Sequence, residues 1–455
     1  MKSALAILTL ASLLLTGCMT AESHYQNARQ ILEQRHELTL DEQKQAYYHL
    51  REAAAAGNAQ AAYDLAWLYN NYDLDAPEDV EDGYELWLRQ AAEMGLPQAQ
   101  HDLGEYEIYN NNRPEGLAWI EKAAQAANNP QWQFELSRLY YCAHCSELDD
   151  YNQKSFAWAL QAAQNGLVTA QSHVGYCYNR GLGVEKDYDQ AYVWTQKAAL
   201  GKDVYAQNNL AIMCEYGLGS EVNYDNAIYW YNQALEQGFA AARTSLAVLY
   251  IYTAPPPVRD QAKGFELLQS GAEQGDSRAM SVLGECYEYG AGVRRDLEQA
   301  FLWQEKSHKA GYYIASYYLG RMYLNGVGVV KNPRQAFELF QISARQEEWG
   351  GAKCALGDMY RLGLGVSRNY QQALEWYEKA AGQNNQRAMY ELGRMYEKGL
   401  GVKANTQLAL TWYNKALGLS RDELRPSYTE QSLSSTDPVA RTSELAGAAI
   451  IRLAK

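Results

Sequence analysis

The sequence predicts an all-α solenoid of antiparallel helix pairs, and three observations predict it. The first is a period: Leu210, Leu246, Leu283, Leu319, Leu356 and Leu392 stand in the same local frame at steps of 36 or 37 residues. The second is that each period carries two amphipathic stretches joined by a Gly-x-Gly-Val turn, as in Gly363-Leu364-Gly365-Val366. The third is composition: 47% hydrophobic residues, with 37 Tyr against 7 Phe. Tyr suits half-buried helical surfaces, because its ring packs while its hydroxyl stays wet. A period of this length marks units that cannot bury an apolar face alone and must stack on their neighbours.

The chain has 455 residues and begins with a targeting segment over residues 1–17. Lys2 supplies positive charge, and Ala4 to Leu15 is apolar but too short to span a bilayer. The stretch ends in Leu15-Thr16-Gly17-Cys18, which resembles a bacterial lipobox. The resemblance implies that Cys18 is lipidated, carries fatty acyl chains such as palmitate, and becomes the mature N-terminus. Met19, rather than Asp, implies by the Gram-negative sorting rules an outer-membrane destination. Two or three acyl chains would anchor the protein stably. Residues 18–41 are then the lipidated N-terminus and the start of a capping pair.

Residues 42–419 carry the repeats. Ala352 to Ala381 reads AKCALGDMYRLGLGVSRNYQQALEWYEKAA, and Ala388 to Leu417 reads AMYELGRMYEKGLGVKANTQLALTWYNKAL. Relative to Leu at position 0, Ala, Gly and Tyr at −4, +1 and +4 share a helix face with it; Ala and Gly let a neighbour approach closely. Gly ends the first helix because it tolerates a left-handed backbone. Asp187, Asn223, Asp296, Asn332, Asn369 and Asn405 then cap the second helix. Ala stands four residues after each cap, and three residues later comes an aromatic or Leu. That position holds Trp87, Trp119, Trp158, Trp194, Trp230, Trp303, Trp376 and Trp412, eight of the eleven Trp. Recurrence at helical spacing predicts that these Trp are core rather than ligand contacts.

This combination of Leu-Gly, Gly-x-Gly-Val, cap-Ala and Trp-x-x-Lys-Ala-Ala resembles the Sel-one-like repeat family, a relative of tetratricopeptide repeats. The resemblance implies a right-handed α/α superhelix, with first helices on its concave side, and an adaptor role. About ten units follow a degenerate cap in which Ala46, His49, Ala53 and Ala54 keep the second-helix frame. Earlier copies at Leu65, Leu103, Leu136 and Val174 step irregularly, by 38, 33 and 38 residues. The first three units lack the Gly-x-Gly-Val turn. One later unit replaces it with Pro255-Pro256-Pro257, which cannot continue a helix and predicts an exposed loop, either a tolerated insertion or a contact loop. Residues 420–455 leave the pattern: 426–438 reads as a loose segment, and Val439 to Leu453 as a helix capping the last repeat.

No catalytic signature is present: no zinc-protease motif, no Walker loop and no nucleophile elbow. The expectation is a non-enzyme without cofactor or metal. A net charge of −14 argues against nucleic acid. Cys142 and Cys145 are expected to form a local disulfide in an irregular turn. A zinc site adding His173 and Cys177 is the alternative, weakened because only one cysteine pair has metal-motif spacing. Cys177, Cys214 and Cys286 read as buried small hydrophobes.

For binding, positions −2 and +2 are expected to lie opposite the buried face of each first helix. Tyr176, Tyr317, Arg321, Tyr390 and Arg394 there are the partner-binding candidates, since Arg and Tyr anchor interfaces. The function expected is a membrane-anchored scaffold for other envelope proteins, attached to the outer membrane with its body in the periplasm or at the cell surface. A surface-exposed lipoprotein binding a host factor or polysaccharide is the alternative. A cell-wall or polysaccharide hydrolase is the rival from another class.

Overall fold

The computed structural model describes residues 20–33, 38–72, 83–141, 149–345 and 350–418, together with residues 449 and 453. Residues 1–17, read above as a targeting segment, Cys18, Cys142, Cys145 and residues 426–438 lie outside the described residues. Every regular element among those described is helical, and the architecture is an all-α solenoid built of paired antiparallel helices. None of these helices is long and apolar enough to cross a membrane. The chain divides into two compact units, residues 1–206 and 207–455.

In the first unit the pairs are Ala21–Leu32 with Leu40–Ala55, Ala59–Asn71 with Gly83–Glu93, and Pro97–Tyr109 with Arg113–Ala127. Pro130–Tyr140 with Asp149–Gln164 and Val168–Arg180 with Tyr188–Leu200 follow. In the second unit Gln261–Glu273, Leu297–Lys309, Pro333–Ala344, Tyr370–Ala381 and Thr406–Gly418 are second helices. Each packs on the helix before it in the chain. Ala449 is buried in the cluster that holds Tyr413 and Ala416, and Leu453 packs partly against it.

Local chemistry makes the pair. The Asn369 side chain accepts from the Gln372 amide at 3.1 Å, and its own amide donates to the Tyr360 carbonyl at 2.9 Å. One residue therefore starts the second helix and ties it to the end of the first. The same double role falls to Asp187, Asn223, Asp296 and Asn332. Such a side-chain cap contributes about 1 kcal/mol. Between them the Gly363 amide donates to the Met359 carbonyl at 2.8 Å, with Gly363 at φ 71° and Gly365 at φ 70°.

In the pairs with Gly at +1, six among the described residues, the closest contact lies between that first-helix Gly and the residue just after the Trp position. Tyr377 and Tyr413 are wholly buried there. A Cβ built on Gly357 would sit 2.5 Å from the Tyr377 ring, and one on Gly393 2.6 Å from Tyr413. Phe340 over Gly320, Gln304 over Gly284, Thr195 over Gly175 and Ile120 over Gly104 repeat the arrangement. Burial of such a side chain stabilises by roughly 1.5–3 kcal/mol.

Two expectations change. The eight Trp are not uniformly core: Trp158 and Trp194 are buried, and the other six are only half-buried. The fully buried position is the next residue, and the Trp lies beside it toward the outer surface. Lys122, Lys197, Lys306, Lys379 and Lys415, three residues on, hold Nζ 3.8–4.6 Å from the ring centroids and cover the exposed faces. The triple-proline loop is exposed as expected, but the helix before it does not simply stop. Ala240–Val248 widens into a π turn, Leu249–Thr253, whose Thr253 hydroxyl donates to Glu215 at 2.6 Å.

Gly357→Val should lower the stability of its pair by about 1–3 kcal/mol through overpacking against Tyr377, read as a lower urea midpoint. Lys202 has φ 67° where the repeat at Gly275 has glycine at φ 88°. Lys202→Gly should raise stability by about 0.5–1 kcal/mol in the same assay, because a Cβ is unfavourable in that conformation.

Candidate interaction surface

The first helices present their −2 and +2 residues very differently. At −2, Tyr317 is 8% exposed and packs its ring 5.6 Å from Phe340. Cys354 is buried in the cluster of Tyr377, Ser281 donates to Gln304 at 2.9 Å, and Tyr390 lies 5.6 Å from Tyr413. All four partners are the buried residue that follows the Trp position. Position −2 therefore faces the second helix, and the expectation that it faces solvent is corrected for Tyr317. The reason is helix geometry: −2 and +1 are three residues apart, so they share a face, and the +1 Gly receives the second helix. Thr244, also at −2, is buried and donates to Asp276 at 2.7 Å, the cap of the next first helix.

Position +2 is more open. In the first unit Tyr176 is 39% exposed, with the Arg180 guanidinium 5.6 Å above its ring. In the second unit the Arg321 side chain is 33% exposed. It lies 5.4 Å over Tyr318, within 3.4 Å of the Tyr289 hydroxyl and 3.7 Å from Glu288. Arg394 is 32% exposed, 6.0 Å over Tyr390 and 3.0 Å from Glu391. Between them Asp358 accepts from the Tyr377 hydroxyl at 2.7 Å and from Arg361 at 3.2 Å, and also pairs with Arg387. Val248 and Glu285 at +2 are buried, so the row is not open throughout. Four of the five candidates, Tyr176, Arg321, Tyr390 and Arg394, thus sit in arginine–tyrosine pairs, each held by groups of its own repeat or the one before. Burial works against the Arg321 charge, but Tyr317, the Tyr289 hydroxyl and Glu288 hold its pKa above the usual arginine range.

A second open row was not read from the sequence. Leu86, Val193, Tyr229 and Leu302 are exposed, and each stands immediately before a Trp. Their shared place in the frame is the signal that could have found them. Of the cysteines, Cys177 and Cys286 are buried thiols whose pKa burial raises to about 12, which suits packing rather than ligation. His173 is half-buried, its ring edge-on to Phe134 and Tyr141, and burial lowers its pKa. The Cys142 and Cys145 disulfide, and the zinc alternative built on the same pair, fall outside the described residues.

The Sel1 repeat model matches eleven segments: residues 37–58, 59–96, 97–128, 133–167, 168–203, 204–239, 240–276, 277–312, 314–347, 351–385 and 386–418. The chain belongs to the Sel1 repeat family. That membership places it among non-catalytic repeat proteins of the kind that act as protein-interaction scaffolds. The c5321 protein, described as a protective antigen present in uropathogenic Escherichia coli strains, displays the same repeat fold. It is 28% identical, with 98% of this chain and 96% of that one aligned at a TM-score of 0.50. A Sel1 repeat protein from Oxalobacter formigenes is 27% identical over 66% of this chain and 86% of its own, with a TM-score of 0.42. A Neisseria meningitidis protein without an assigned role is 25% identical over 307 residues, 66% of this chain. The Saccharomyces cerevisiae chitin synthase regulator SKT5 is 27% identical over 58% of it. The aligned part spans 62% of the Neisseria protein and 34% of the yeast one.

The two rows separate by truncation. Tyr317→Ala should cost about 2–4 kcal/mol by opening a cavity beside Phe340. Tyr176→Ala should cost under about 1 kcal/mol, because its ring is already partly in solvent. Urea unfolding of both variants measures the difference, and equal losses would contradict the faces assigned here.

Proposed function

We propose that this chain is a lipid-anchored scaffold of the bacterial cell envelope that binds other envelope proteins along the first helices of its repeats. The observation that carries the binding half is the recurring half-open arginine over a tyrosine: Arg180 on Tyr176, Arg321 on Tyr318 and Arg394 on Tyr390. Arginine and tyrosine dominate binding energy at interfaces, and a ring that pre-orients the guanidinium lowers the entropy lost on docking. The anchoring half rests on Leu15-Thr16-Gly17-Cys18, and outer-membrane placement rests on Met19. Repeat scaffolds suit such work because a partner meets many units at once instead of one fixed pocket.

A second reading is a surface-exposed lipoprotein that binds a host factor or polysaccharide. One observation favours it: c5321, alike over nearly its whole length, is described as a protective antigen, and antibodies reach what lies outside the cell.

Cys18→Ala should abolish palmitate labelling and move the protein from the membrane to the soluble fraction of fractionated cells. Retention in the membrane would remove the anchor from the proposal. Arg321→Glu combined with Arg394→Glu should reduce in-cell crosslinking to the captured envelope partners by roughly tenfold or more, the size expected for losing two interface anchors. Unchanged capture would dismiss that row. Protease treatment of intact cells decides between the two readings: degradation places the body outside, and protection places it in the periplasm.

A further inference from the structure

We infer that His101, Asp102 and Glu105 form a binding site for a divalent transition-metal ion of the Zn²⁺ class, with Glu135 supporting the histidine from behind. The three ligands lie on one helix, Pro97–Tyr109, and their donor atoms all fall within 4.8 Å of one another. His101 and Glu105 stand one turn apart on the same face, with the Glu105 carboxylate 3.9 Å from His101 Nδ1. Asp102 lies 3.4 Å from the same nitrogen. An ion held by bonds of about 2.0–2.2 Å keeps its ligand atoms at most about 4.4 Å apart, so a small rotation of Glu105 closes the set. That rotation is open to it, because the Glu105 side chain is 59% exposed while the other two are fixed.

The fixing comes from three consecutive first helices. His101 Nε2 donates to Glu135 at 2.9 Å, and the His101 ring stacks on Trp132 at 4.8 Å and 19°. Both partners belong to Pro130–Tyr140. Tyr63, on Ala59–Asn71, donates its hydroxyl to Asp102 at 2.5 Å, and Gln98 donates at 2.8 Å. A histidine that gives its far N–H to a carboxylate turns its near nitrogen toward the ligand position with raised basicity, as metal-binding histidines do.

Charge points the same way. Three carboxylates surround one imidazole. Asp102 and Glu105 approach Nδ1 on one side of the ring and Glu135 holds Nε2 on the other. A divalent ion on Nδ1 balances the carboxylates. One nitrogen with carboxylate oxygens favours Zn²⁺ and its neighbours over Mg²⁺, which prefers oxygen alone.

The test uses the intact, untagged chain dialysed against ZnCl₂, with bound metal counted by mass spectrometry and a parallel set in MgCl₂. The parent should hold one more equivalent of Zn²⁺ than Glu105→Gln and His101→Ala, or hold it at least tenfold more tightly, and excess Mg²⁺ should not displace it. Glu105→Gln alters an exposed side chain and keeps the fold, so it decides the matter should His101→Ala not fold. Equal stoichiometry and affinity in the parent and Glu105→Gln, or no Zn²⁺ bound by the parent, would overturn the assignment.

Discussion

The structure depends on one contact: a second-helix side chain seated on a glycine of the first helix. Tyr377 on Gly357 and Tyr413 on Gly393 show why neither member can change alone. A methyl group on the glycine would collide with the ring, and truncating the ring would leave a hole between the two helices. The capping residue works on the same joint from the other side, since Asn369 starts the second helix while its amide grips the Tyr360 carbonyl. Together they set the angle and depth of each helix pair, and every surface residue takes its direction from them.

That geometry decides which side chains are free to bind. Once the +1 glycine has received the second helix, position −2 is committed to it as well, and Tyr317 becomes core. Position +2 is left at the margin, where Arg321 and Arg394 keep part of their guanidinium in solvent while resting on tyrosines. The Trp position is likewise a margin and not a centre. Its lysine cover explains how a large ring can recur at the surface of so many repeats without leaving an apolar patch bare.

Much of this was legible in the residues themselves. Leu at 36- or 37-residue steps, the Gly-x-Gly-Val turns and the six caps specify the helices, their ends and their pairing without any help from tertiary contacts. What escaped reading needed a direction, not a period. A stripe drawn around Leu at position 0 treats −2 and +2 as equivalent, and only the partner of the +1 glycine breaks that symmetry. The π turn at Leu249–Thr253 was invisible because nothing local marks the extra residue. The His101 cluster was missed for a different reason: Glu135 is 34 residues away, in a stretch where the repeat steps are irregular, so no fixed spacing ties the two together.

The two kinds of glycine contact differ in reach. The +1 glycine and the residue seated on it always belong to the same repeat. The second glycine of each turn instead meets main chain of the preceding repeat: Gly365 lies against Pro333 and Arg334, and Gly401 against Tyr370. The side chains seated on the +1 glycines are thus matched within a unit, while the second glycines add a backbone contact to the side-chain bonds, such as Thr244 to Asp276, that join one unit to the next. Unequal recombination that removes or adds a whole unit therefore leaves every glycine-seated pair intact, so the number of repeats can drift among descendants while the unit itself is held.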